Sequence, residues 1–163
     1  MTLTSLDPET GAHNWTYNLA SAGNYRPTTV RFDGDALYVG GLAESNASFI
    51  CRIDVSGATP ELDWSATYAT FSNVRSIHMV DDDLLFAVVE FRGLGTKFAA
   101  MGVSTEDGSV VWSKVWDDAN AGDNNNSLSG ALVNGEAIIA GRIAYTPFDT
   151  QGGDGFMVSL DPQ

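Results

Sequence analysis

The sequence predicts an all-β chain built from repeated four-stranded antiparallel units, and three observations carry that expectation. First, a nine-residue pattern recurs in one register, as Asp7-Pro8-Glu9-Thr10-Gly11 leading to Trp15 and Ser104-Thr105-Glu106-Asp107-Gly108 leading to Trp112. A looser copy runs from Asp54 to Trp64 with two extra residues after Gly57, so the three tryptophans lie 49 and 48 residues apart. Second, no stretch carries the three-and-four apolar spacing of an amphipathic helix. Short β-rich runs recur instead between clusters of Gly, Asn, Asp, Ser and Thr. Third, Asp33-Gly34-Asp35, Asp81-Asp82-Asp83 and Asn134-Gly135-Glu136 fall at matching places between such runs. Asp-Gly and Asn-Gly suit tight hairpins because they accept a positive φ.

Aligned on these marks, the runs sort into four strand types. The first type is expected at 28–32, 75–80 and 128–133, and the second, beyond the acidic or amide turn, at 36–42, 84–91 and 137–143. The third is expected at 49–54, 98–104 and 156–161, and the fourth, which carries the tryptophan, at 13–19, 62–68 and 110–116. Four short antiparallel strands in a unit of about 50 residues describe a β-propeller blade. A β-sandwich also has short strands and regular turns, but it does not require one motif to recur at one phase. The chain is therefore expected to be a single partial β-propeller over 1–163, with about three blades. Its repeats fall at roughly 16–64, 65–112 and 113–163, with 1–15 completing a neighbouring blade.

The turn-and-Trp segment Asp7-Pro8-Glu9-Thr10-Gly11 to Trp15 resembles the motif of quinoprotein-type, PQQ-like propeller repeats. In that family the Trp docks each blade onto its neighbour, a role the resemblance implies for Trp15, Trp64 and Trp112. The stretch from Asn134 to Gly141, continued by Gly152 to Pro162, is similar to the bacterial SBBP-type propeller repeats. Both resemblances speak to architecture. Such repeats occur in enzymes, assembly scaffolds and surface proteins alike.

Closed propellers have roughly four to eight blades. The segment Ser5-Leu6-Asp7-Pro8 repeats as Ser159-Leu160-Asp161-Pro162, so the third strand type is present four times and the others three times. The expectation is a window on a longer array, with further repeats of a longer chain or other subunits completing a ring.

With 21 Asp and Glu against 8 Lys and Arg, the net charge is −13. That argues against nucleic acid or an anionic membrane as partner, since phosphate binding needs clustered cations. No apolar run reaches the roughly 18 residues that span a bilayer, so no membrane insertion is expected. The first residues show no basic and apolar signal pattern. The single cysteine, Cys51, lies in a strand-like run and reads as a small buried hydrophobe.

Candidate chemistry is sparse. The resemblance to quinoproteins implies a quinone, a calcium ion and a central carboxylate. The acidic positions Asp7, Glu9, Glu106 and Asp107, however, belong to repeat turns, where a carboxylate satisfies backbone N–H groups. Calcium wants several oxygens from one loop, and Asp118, Asn120 and Asp123 in the segment 117–127 could supply them. Gly122 stands where an EF-hand loop has a ligand, and no closing Glu follows; a solvated loop is the preferred reading. The loop 149–154 offers fewer ligands. His13 and His78 have no second metal-binding residue at ligand spacing, Gly93-Leu94-Gly95 opens no helix, and no Gly-x-Ser-x-Gly elbow is present. Trp116 is the one tryptophan off the repeat. Asn14, Asn46 and Asn125 head glycosylation sequons, of which Asn46 and Asn125 fall in expected loops.

The function expected from these features is a non-enzymatic extracellular or cell-surface repeat module. It would serve as a structural or binding scaffold for a protein or glycan, with no cofactor. The alternative is a set of scaffold blades from a PQQ-dependent-type oxidoreductase.

Overall fold

The computed structural model describes residues 1–19, 24–93, 95–116, 126–143 and 154–163. Among them are thirteen strands: β1 (Thr2–Leu6), β2 (His13–Asn18), β3 (Arg26–Asp33), β4 (Ala36–Leu42), β5 (Ser48–Asp54), β6 (Glu61–Tyr68), β7 (Asn73–Met79), β8 (Leu84–Gly93), β9 (Gly95–Ser104), β10 (Val110–Trp116), β11 (Asn126–Val133), β12 (Glu136–Ile143) and β13 (Asp154–Leu160). A single turn of 3-10 helix, Glu44–Asn46, links β4 to β5.

The strands form four antiparallel sheets in which chain neighbours are sheet neighbours: β1–β2, β3–β4–β5–β6, β7–β8–β9–β10 and β11–β12–β13. The fold is all-β, a partial propeller-like array. Two sheets have all four strand types, β1–β2 has the third and fourth, and β11–β13 has the first three. The first three sheets in chain order each end with their Trp-bearing strand, at Asn18, Tyr68 and Trp116. The first strands of successive sheets meet, β3 on β7 and β7 on β11, which makes them the inner strands of the array.

Local chemistry accounts for the hairpins. Asn134 and Gly135 both have positive φ, 53° and 84°, the combination a two-residue type I′ loop requires. Where Asp82 replaces glycine, the turn is held by a side chain instead: the Asp83 N–H donates to Asp81 Oδ1 at 3.0 Å.

Apolar clusters lie between the sheets and not within any one of them. Leu37, Val39, Phe49, Cys51 and Ile53 face the β1–β2 sheet, where Leu3, Trp15 and Tyr17 pack on them. Ile50, Tyr38, Val74, Ile77, Leu85 and Met101 fill the second interface. Phe86, Val88, Ala100, Ala137 and Ile139 fill the third. Strands β4 and β8 are buried on both faces and read as near-continuous apolar runs for that reason. Cys51 is fully buried, and burial pushes its thiol up to about 12. Native protein at pH 8 should therefore show no thiol reacting with a disulfide reagent over minutes, and one on unfolding; one fast-reacting thiol in the native state would contradict this packing.

Candidate functional site

The recurrent motif assembles into a docking device. Its turn is closed by the Gly11 N–H donating to Asp7 O at 2.8 Å and the Asp7 N–H to Ala12 O at 2.8 Å. Gly108 to Ser104 O at 3.1 Å and Ser104 to Ser109 O at 2.9 Å repeat that arrangement. The next strand then carries a β-bulge in all three copies. Asn14, Asp63 and Val111 are the extra residues, each directly before its Trp. A bulge turns the following side chain relative to the pleat. Each indole is thereby aimed at the next sheet.

The Trp64 indole N–H donates to Thr105 O at 2.9 Å, and that of Trp112 to Pro162 O at 2.8 Å. Thr105 and Pro162 hold equivalent places, just past the third strand. The Trp64 ring lies on Gly108, where a Cβ would come within 2.7 Å of it. Tyr68 reinforces the joint by donating its hydroxyl to Gly108 O at 2.8 Å, and burial drives its phenol pKa upward. Trp112 stacks on Phe86 with centroids 6.4 Å apart. Trp15 packs on the cluster of Leu37 and Phe49. Trp116, off the repeat, packs on the Phe86 cluster as well.

Turn carboxylates are occupied locally. Asp7 Oδ1 accepts from the Thr10 hydroxyl and the Thr10 N–H, both at 2.7 Å, and from the Glu9 N–H at 3.1 Å. Asp54 accepts from the Ser56 N–H at 2.8 Å and Asp107 from the Ser109 N–H at 2.9 Å. These bonds, led by Thr10, Ser56 and Ser109 respectively, hold the three carboxyls below the usual range.

Where the turns of β3–β6 meet those of β7–β10, they border an open cleft. Its rim carries Asp33, Asp35, Asp54, Asp82, Asp83 and Glu106, with Arg52 the cation among its lining residues. Arg52 Nε stands 3.4 Å from Asp63 Oδ2 with both side chains about a third exposed, a contact of little energetic weight. Among the described residues, no group of three or more His, Cys, Asp or Glu is arranged to hold a metal ion.

The candidate calcium ligands Asp118, Asn120 and Asp123, the sequon Asn125 and most of the loop 149–154 lie outside the described residues. Asn14 is exposed on β2 and its amide donates to Ser5 Oγ at 3.3 Å. Asn46 ends the 3-10 turn, exposed, with φ 60°. His13 is also exposed and meets Thr16 Oγ1 at 2.8 Å. His78 stacks on Phe86 with centroids 6.0 Å apart; desolvation lowers its pKa, opposed by a backbone bond to Gly130. Gly93 and Gly95 pair across the β8–β9 hairpin.

Sequence reasoning missed one ionic pair. Arg75 donates to Glu90 Oε1 through Nε at 3.0 Å and through Nη2 at 2.5 Å. The Glu90 side chain is 2% exposed against 35% for Arg75, and Glu90 Oε2 has no hydrogen-bond partner.

No family model matches the chain, and a search of the curated proteins returns no match.

Proposed function

We propose that the chain is a non-enzymatic extracellular propeller module, a structural or binding scaffold that engages a protein or glycan surface at the turn end of its blades. The observation that carries this reading is the division of labour among its polar groups. The motif residues Asp7, Asp54 and Asp107 satisfy their own turns, and the indoles of Trp64 and Trp112 join sheets. Among the described residues, the acid-rimmed cleft between two blades is open to a ligand. Protein and glycan contacts of this kind draw on polar, hydrated, rigidly presented rims. An acidic surface and a single buried thiol suit an oxidising medium outside the cell.

The test compares the chain with a variant in which Asp33, Asp35, Asp82 and Asp83 are replaced by Asn. Glycan arrays and immobilised extracellular proteins should show binding that the variant weakens at least about tenfold, equivalent to 1.4 kcal/mol. Melting temperature should stay within a few degrees, because the four carboxylates are on the surface. Titration with calcium and PQQ should leave the melting temperature of the native chain unmoved. A saturable rise would overturn the scaffold reading in favour of the oxidoreductase alternative.

A further inference from the structure

The two outermost sheets each leave uncovered a face that the inner sheets bury. Leu160 pairs with Ala137 as Ile53 pairs with Leu37 and Val103 with Leu85, so Met157, three residues earlier, holds the position of Ile50 and Ala100. Those two are fully buried against the following sheet, while Met157 is 74% exposed. On the opposite side of the array, Val30 pairs with Val39 as Ile77 pairs with Ala87. Ile77 is 3% exposed and Val30 61%, with Phe32 beside it equally open. Leu3, Leu6, Trp15, Val30, Phe32 and Leu37 line the resulting groove. A docking seat stands empty there too. Gly11 has φ +70° and nothing within 4 Å of a built Cβ, whereas its counterpart Gly108, at +75°, carries the Trp64 ring.

We propose that these two ends close on each other between two copies of this chain. The β1–β2 hairpin of one copy joins β11–β12 of the other, in the place of β13, and makes a blade of all four strand types. The strand types argue for it, since β1–β2 holds the third and fourth types and β11–β12 the first and second. The surfaces argue for it as well, because the exchange repeats an interface that the chain already makes between its own sheets. Leu3, which is packed on its own β4–β5 cluster, takes the position in which Met157 has nothing to face. The strand pair β11–β12 covers Val30 and Phe32. Trp112 exchanges the Pro162 carbonyl for that of Pro8, within the same Ser-Leu-Asp-Pro sequence, and gains the Gly11 seat. Two such junctions and two complete sheets per copy give a ring of about six blades, inside the range that closes. The contact is head-to-tail, and a ring forms because the rotation closes.

Sedimentation of the full chain should give twice the chain mass, and Val30→Asp with Phe32→Asp should give single chains with an unchanged β-sheet spectrum. Both side chains are exposed in one copy, so the fold does not depend on them. By the pairing of Leu37 with Ile53, Leu6 of one copy lies opposite Ala137 of the other. Leu6→Cys combined with Ala137→Cys should therefore yield a covalent dimer with copper phenanthroline as oxidant, and neither single variant should. A native chain that sediments as a monomer, or as polymers that grow with concentration, overturns the proposal. So does a dimer that survives the aspartates and forms no cross-link.

Discussion

Replacing Trp64 with alanine should cost about 3 kcal/mol of unfolding free energy, at the low end of the range for a large aromatic because the indole is only partly buried. Three losses combine. The ring leaves a gap against Gly108 and Tyr38, whose ring centroid lies 6.3 Å from that of Trp64. The Thr105 carbonyl loses its donor. The β6 bulge then presents a methyl group to the next sheet in place of an indole. Trp64→Phe separates these terms, since it keeps most of the ring contact and gives up the N–H bond, for about 1 kcal/mol. Denaturant titration of the three proteins measures both steps. A Trp64→Ala loss below about 1 kcal/mol would sink the docking role, because surface substitutions alone reach about half that.

Such a joint was half legible in the sequence. The tryptophan spacing gave its period, and the Glu-Thr-Gly and Glu-Asp-Gly turns gave its phase, because glycine at a left-handed φ is a strong local constraint. Strand limits followed from turn residues closely enough that β4 and β10 begin and end where the pattern puts them. The bulges at Asn14, Asp63 and Val111 were not legible. A bulge is a property of two strands in register, and a polar residue before a Trp looks the same with or without one. The Arg75–Glu90 pair was hidden for a similar reason. Glu90 in Val88-Val89-Glu90-Phe91 looks like the polar end of a strand, and its partner is fifteen residues away, brought close because Asn73 pairs with Glu90 across β7 and β8. The acidic cleft draws on turns from two blades, so the sequence shows its carboxylates only as separate punctuation.

That pair should also be the more asymmetric of the two large effects. Arg75→Ala should cost about 3–5 kcal/mol, since it leaves the Glu90 carboxylate buried with its cation gone and its second oxygen already unpartnered. Glu90→Ala should cost less. Arg75 is a third exposed and can turn its guanidinium to water, so that variant loses packing and one charge-assisted contact but strands no ion. The double variant Arg75→Met with Glu90→Leu should recover most of the loss, because an apolar pair of similar volume avoids desolvating either charge. Thermal or urea unfolding of the four proteins decides it. If Glu90→Ala proves the costlier single change, the burial asymmetry is not what sets the energy. The pair would then be held chiefly by the backbone around Ser72, whose N–H donates to Glu90 O at 2.7 Å, and the side chains would follow that geometry and not dictate it.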